Sequence, residues 1–181
     1  MKKYNIIYAD PSWRYSNKNT GGSMNSGSSA KYYTMSLEDI GNLKISKISK
    51  DDSFLFLWVT FPMLQEGLNV MRRWGFKYKT VAFTWVKKTK TGKDHFGMGF
   101  WTRSNPEICL LGVRGKPKIK SHSVTQLTYA LVEEHSKKPD IIRNKIIQLC
   151  GSLPRIELFA REKIDGWDNI GLELGSDLRN L

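Results

Sequence analysis

Short apolar runs alternate along this chain with polar, glycine-rich stretches. Residues 4–9 (YNIIYA), 53–59 (SFLFLWV), 79–86 (KTVAFTWV), 107–115 (EICLLGVRG), 155–160 (RIELFA) and 168–174 (DNIGLEL) are largely apolar without strict alternation. Runs of this length predict strands, most of them covered on both faces. Helical patterns fall between them. Residues 36–43 carry Ser36 as a helix N-cap and Asp39 in the first turn. Residues 62–75 place Pro62 in a first turn, align Met63, Leu64, Leu68, Met71 and Trp74 as one stripe, and stop at Gly75. Residues 139–151 start at Pro139, turn Ile141, Ile142, Ile146 and Leu149 inward, and end at Gly151. Strands interleaved with helices predict an α/β fold with a mostly parallel sheet and helices on both faces. There is no repeat and no linker, so residues 1–181 are expected to form a single domain.

Three stretches break the pattern. Residues 14–35 and 87–105 are polar loops of a length that is uncommon in compact domains unless it serves function. Residues 116–126 are a basic connection. The charge balance sharpens this picture: 29 Lys and Arg against 17 Asp and Glu give a net charge of +12, a surface that attracts polyanions, nucleic acid first among them. No apolar run spans a bilayer. The N-terminal run meets Asp10 and Pro11 after five apolar residues and lacks a small-residue cleavage site, so it reads as a strand rather than a leader. Cys109 and Cys150 lie in apolar segments and are expected to be core thiols of a reducing compartment. His95, His122 and His135 have no partners at metal-ligand spacing, and no metal site is expected. Gly97 and Gly99 follow no strand and precede no Lys-Ser/Thr pair, so they are not a phosphate loop.

The densest chemistry lies where the first strand ends, at Asp10-Pro11-Ser12-Trp13. In open α/β sheets, ligands bind outside the carboxyl ends of the strands. A carboxylate and a nearby proline carbonyl offer two acceptors to one place, which suits an amino group with two N–H donors. A tryptophan adds a flat face on which a nucleobase can stack. The same residues also suit a turn whose tryptophan covers the sheet end. Trp58, Trp74 and Trp85 lie in regular elements and are expected in the core, while Trp101 sits in a loop. Lys87, Lys88, Lys90 and Lys93 read as a solvated face, with phosphate contact as the alternative.

The chain resembles the MT-A70 family of S-adenosylmethionine-dependent adenine-N6 methyltransferases, in particular its short phage and bacterial branch. Asp10-Pro11-Ser12-Trp13 is similar to the family's Asp-Pro-Pro-Trp. "KYYTMSLEDI" (31–40), "FLFLWVT" (54–60), "WVK" (85–87), "GFWTRSNPEICLLGVRGKP" (99–117), "EEHSKKPD" (133–140), "RIELFAR" (155–161) and "GWDNIGLE" (166–173) follow in family order. The resemblance implies a Rossmann-like methyltransferase fold, permuted so that the catalytic segment precedes the cofactor segment. It implies that Asp10 and the Pro11 carbonyl hold the target amine, with Ser12 completing the catalytic turn, and that Trp13 stacks on or walls the adenine. Tyr32 would line the methyl-transfer site; Trp101, by its place in the 87–105 loop, is expected either to touch substrate or to pin the loop. Lys138 would meet the cofactor's carboxylate, with Glu107 beside it helping to place the substrate. Arg161 would lie near the cofactor's ribose and adenine, and Glu173, ending the last strand, would accept both ribose hydroxyls, as acidic residues do in Rossmann folds.

Three positions depart from the family pattern. Ser12 replaces its second proline, loosening the turn. Leu172 stands where the family often has asparagine, removing a ribose hydrogen bond. Nine residues precede Asp10, fewer than the segment larger relatives set against the cofactor's adenine, so Ile164 or Asp165 is expected there. The activity implied is methylation of adenine N6 in nucleic acid, with DNA favoured over RNA, by a cytoplasmic monomer or homodimer of a bacterial or phage-infected cell, without a membrane partner. The rival readings are an RNA methyltransferase and a catalytically silent nucleic-acid-binding member. Silent members lose the aspartate or the aromatic residue, and both are kept here.

Overall fold

The computed structural model describes residues 2–13, 35–99, 101–133 and 137–181. Among them, strands β1 (Tyr4–Ala9), β2 (Ser49–Val59), β3 (Lys77–Lys88), β4 (Glu107–Arg114), β5 (Leu127–Leu131), β6 (Arg155–Leu158) and β7 (Asp168–Ile170) form one sheet in the order β5-β3-β4-β2-β1-β6-β7. β1 pairs in parallel with β2 and β6, β3 with β5, and β6 with β7, whereas β4 runs antiparallel to both β2 and β3. The C-terminal ends of β1, β2, β3 and β6 therefore share one edge with the start of β4.

Side chains of successive strand residues go to opposite faces, and the sheet is covered on both. Ile7, Ala9, Leu55, Leu57 and Val59 face α1 (Leu37–Asn42), α2 (Ile45–Ile48) and α3 (Leu64–Arg73). Ile6, Tyr8, Phe54, Phe56 and Trp58 face α4 (Ile141–Cys150), through Ile142, Ile146 and Cys150. The Ser36 hydroxyl accepts from the Asp39 amide and caps α1 as expected. Trp58, Trp74 and Trp85 are all in the core, as are Cys109 and Cys150.

The helices depart from expectation by a fraction of a turn. In α3 Gly67 and Val70 are buried with Met71, the expected Met63 and Trp74 flank them in the core, Leu68 packs partly against it, and Leu64 is exposed. Gly67 is the reason: a Cβ there would lie 2.4 Å from Val59 Cγ1, so the glycine brings the helix backbone down onto β2. In α4 the stripe is Ile142, Ile146 and Cys150, and Ile141 is half exposed. β5 is an edge strand that the hydrophobic pattern does not reveal: Leu127, Tyr129 and Leu131 are exposed and only Thr128 is buried. The last strand is shorter than expected, three residues followed by a 3-10 turn at Leu172–Leu174.

Candidate active site

β1 ends where its sequence requires it to. Pro11 has no N–H to continue a ladder, so Asp10 leaves the sheet beside its C-terminal edge. Register places Ala9 opposite Leu57 on one side and Leu158 on the other. Asp10 thus stands level with Trp58 and Phe159, between two neighbouring strand ends.

Four charged side chains form a chain along this edge. The Lys138 ammonium lies 2.8 Å from Asp10 Oδ2 and 3.3 Å from Glu107 Oε2. The Lys87 ammonium donates to Glu107 Oε1 at 2.6 Å. Glu107 opens β4, and β3 pairs with it so that Trp85 lies opposite Glu107 and Lys87 lies just beyond. Burial pushes the Asp10 carboxyl up, and the opposing pull of Lys138 does not cancel this, so it stays above the ordinary aspartate value. Burial also raises the Glu107 carboxyl, but Lys138 and Lys87 together outweigh it and hold it below the ordinary glutamate value. Burial disfavours the Lys138 ammonium, yet its two carboxylate partners raise it above the ordinary lysine value. The site therefore keeps a cation clamped between two carboxylates.

Behind the edge, aromatic hydrogen bonds fix the frame. The Trp13 indole donates to the Trp58 carbonyl at 2.9 Å, and the Trp58 indole donates to the Tyr8 hydroxyl at 2.7 Å. The Lys138 ammonium sits over the Trp58 ring, 5.5 Å from its centre. Two residues before Asp10, Tyr8 lies opposite Glu157, whose carboxylate takes a two-pronged pair of hydrogen bonds from Arg143 at 2.7 and 2.8 Å.

On the other side of Asp10 opens a cavity of about 330 Å³, lined by Asp10, Ser12, Met35, Phe159, Ala160, Arg161, Leu172, Glu173, Asp177 and Leu178. Arg161 and Glu173 form an ion pair at 3.6 Å on its wall. Phe159 adopts a left-handed backbone, φ 62°, rare for a bulky residue and concentrated at functional sites. Apolar walls with a few convergent acceptors and one guanidinium suit a nucleoside-bearing cofactor, and the volume lies within the range of small-molecule pockets.

The structure brings Asp10, Ser12, Arg161 and Glu173 to this cavity, and Lys138 to the carboxylate of Asp10 with Glu107 on its other side. Five expectations change. Trp13 is 6% exposed and packed in the core face beneath α1 and α3, so its ring is a wall and an anchor for the turn rather than an open stacking surface. Both Glu107 oxygens go to lysines. Lys87 and Lys88 are paired with Glu107 and Asp94 instead of facing solvent. Glu173 lies in the 3-10 turn after β7, not on a strand. Ile164 packs with the Trp167 cluster on the opposite face and does not line the cavity. Trp101 is fully exposed on its loop. Tyr32 lies outside the described residues. Phe159, Met35 and Asp177 join the site without having been singled out. Asp177 sits in a polar tail whose only signal is an Asp that accepts from the Arg179 amide at 2.9 Å, as an N-cap does.

The model of the MT-A70 family matches residues 4–173 of the chain. The Type II methyltransferase M.MunI of a Mycoplasma species is 37% identical over 189 aligned positions, covering 96% of this chain and 78% of that protein. The N(6)-adenosine-methyltransferase catalytic subunit METTL3 of Homo sapiens is 30% identical over 168 positions, covering 89% of this chain and 26% of that protein. A putative N(6)-adenosine-methyltransferase MT-A70-like protein of Medicago truncatula is 27% identical over 182 positions, covering 96% of this chain and 27% of its own length.

Proposed function

The chain belongs to the MT-A70 family of S-adenosylmethionine-dependent adenine-N6 methyltransferases, and from that premise we propose that it methylates N6 of adenine in DNA. The observation that carries the reading is the seat of Asp10, at the C-terminal end of β1, between the Lys138 ammonium and a cavity walled by Arg161 and Glu173. Bound S-adenosylmethionine supplies an electrophilic methyl group on its sulfonium. The ionised Asp10 carboxylate and the Pro11 carbonyl accept from the two N–H groups of the target amine. That favours a pyramidal nitrogen with a usable lone pair, so catalysis is mostly positioning and electrostatics. Lys138 favours the ionised form of Asp10 against the effect of burial, and Glu107 and Lys87 hold Lys138 in place. Ser12 leaves the turn intact because Trp13 anchors it to the Trp58 carbonyl.

Toward the cofactor, Glu173 and Asp177 are acceptors for ribose hydroxyls, Arg161 borders the nucleoside, and Phe159 and Leu172 give it apolar walls. Lys138, held by Asp10 beside the cavity rather than lining it, would meet the carboxylate of the methionine part. DNA is favoured because the chain spans most of the Type II methyltransferase but only about a quarter of METTL3. Among the described residues no helix is long and apolar enough to cross a membrane, and we assign the protein to the cytoplasm of a bacterial or phage-infected cell.

The test is incubation of the purified protein with isotopically labelled S-adenosylmethionine and adenine-bearing oligonucleotides, DNA and RNA in parallel, with nucleosides identified by mass spectrometry. N6-methyladenine in DNA is the expected product, and Asp10→Asn should yield none. Methylation of RNA alone would overturn the DNA assignment, and no transfer to either would overturn the enzyme.

A further inference from the structure

At the C-terminal edge of the sheet, Lys87, Lys88, Lys137, Lys138, Arg143 and Arg161 are each paired with a carboxylate, while Lys90, Lys93 and Lys163 are exposed and form no ion pair among the described residues. The opposite edge carries the starts of β2 and β3 and the end of β4. There Lys44, Lys47, Lys77, Lys79, Lys116 and Lys118 are all exposed. Not one of their ammonium groups is within 4.0 Å of a carboxylate among the described residues. Farther along that edge Asp168, at the start of β7, is paired with Lys2 at 2.6 Å, and Asp51 and Asp52, near the start of β2, do little to balance these lysines. Asp52 spends one oxygen on the Lys116 amide at 2.7 Å, leaving Asp51 beside it.

The surface is also built rather than loose. The Arg114 guanidinium donates to the Ser46 carbonyl at 3.1 Å, which ties the end of β4 to α2. The Lys120 amide donates to the Leu149 carbonyl at 2.7 Å, which ties the basic connection to the end of α4. Lysines concentrated without counter-charges repel one another and oppose compaction.

We propose that this second edge is a nucleic-acid-binding surface, separate from the active site, that takes the phosphate backbone of a duplex segment other than the one being methylated. The inference rests on the reading of the protein as a nucleic-acid methyltransferase. β2 has eleven residues and spans about 36 Å at roughly 3.3 Å per residue, so the two edges lie on opposite ends of the molecule. Duplex DNA is stiff over about 150 base pairs, and wrapping one short site around both ends carries a steep deformation cost. Two segments, one at each end, satisfy both surfaces. Ammonium groups on flexible stems read phosphates without reading sequence, so this edge would hold nonspecific DNA while the other reads the target.

The experiment uses the full chain and two short duplexes of roughly one to two helical turns, about 10–20 base pairs. One carries the target adenine; the other is labelled and lacks it. At low salt the wild type, saturated with the first duplex, should bind the labelled one as a second equivalent. In the variant Lys44→Gln/Lys47→Gln/Lys116→Gln/Lys118→Gln, this second equivalent should be lost. The salt slope of log K for the labelled duplex should flatten by about 0.9 for each lysine that had met a phosphate. Methylation of the saturating target duplex should remain at the wild-type rate, which also reports that the variant is folded. A single equivalent in the wild type, or a variant that keeps both, overturns the proposal. So does quadruple-variant-sensitive binding to anionic phospholipid vesicles without binding of the second duplex. Absence of methylation by the wild type would fault the catalytic reading instead, and the second-equivalent measurement stands apart from it.

Discussion

Lys138 donates to Asp10 at 2.8 Å while its other side meets Glu107 at 3.3 Å. This single cation decides the charge of the carboxylate expected to grip the target amine. Asp10 is buried enough that its carboxyl titrates above the ordinary 3.8 even with Lys138 beside it.

Because only the ionised Asp10 accepts from both amine hydrogens, turnover should fall on the acid side through a limb displaced upward from that of a free aspartate. Lys138→Met removes the compensating cation, so the limb should move to still higher pH; Lys138→Arg should restore much of it. A pH–rate profile at saturating cofactor measures this. An acid limb that does not move in Lys138→Met would detach Lys138 from Asp10 function. Glu107 carries the opposite sign. Its folded value is depressed, so the stability it contributes is present above its unfolded value and is lost as pH falls through its folded one.

Trp13→Phe separates anchoring from stacking. Phenylalanine keeps an aromatic wall but leaves the Trp58 carbonyl without the indole donor. The cost of that buried acceptor is about 1–3 kcal/mol. We expect lower thermal stability and a fall in turnover with little change in cofactor affinity. Wild-type turnover in Trp13→Phe would mean that only the wall matters.

The sequence disclosed the two-faced strands and the chemistry at Asp10 because both are written locally: β1 is continuously apolar, and Pro11 forces the exit. It hid β5, whose burial alternates but with Leu127, Tyr129 and Leu131 on the exposed face and Thr128 and Ala130 on the covered one, the reverse of the usual apolar signal, since an edge strand is held by main-chain pairing with β3. It also hid the contact order of the site. Lys138 and Asp10 are 128 residues apart, and no spacing rule predicts that their ion pair closes in the folded chain. Asp177 and Phe159 went unnoticed for a similar reason. Their place in the cavity is set by the turns after β6 and β7, and a left-handed φ at Phe159 has no sequence signature when the residue is not glycine.

Glu173→Gln and Arg161→Ala should act on cofactor affinity more than on turnover. Each removes a charge-assisted contact worth about 1.5–3 kcal/mol, roughly a ten- to hundredfold weaker dissociation constant for S-adenosylhomocysteine by titration calorimetry. Asp177→Asn should give a smaller loss, because Arg179 already occupies both of its carboxylate oxygens. Unchanged binding in Glu173→Gln would move the ribose contact elsewhere.

The last expectation concerns how the target reaches Asp10. Adenine N6 in a duplex is base-paired and stacked, whereas Asp10 lies at a sheet end beside a walled cavity, so the base must leave the stack or the substrate must be locally open. Unstacking costs a few kcal/mol, least for a mispaired base. Trp13 is too buried to repay it by stacking, which shifts attention to Trp101, fully exposed on a loop whose base is fixed by Asn105. Six residues separate Trp101 from Glu107, so the ring's Cα lies within about 21 Å of the site at roughly 3.5 Å per residue. A base or a gap in the stack that meets this indole gains about 1–3 kcal/mol. A mispaired target adenine should therefore bind more tightly than a paired one. Trp101→Ala should lose more activity on paired than on single-stranded substrate, because only the paired substrate has an opening cost to offset. Rates on matched, mismatched and single-stranded oligonucleotides carrying one adenine decide it. Equal binding of matched and mismatched duplexes, together with an equal loss in Trp101→Ala on all three, would mean that the target is reached without extrusion and that Trp101 contributes nothing to opening the duplex.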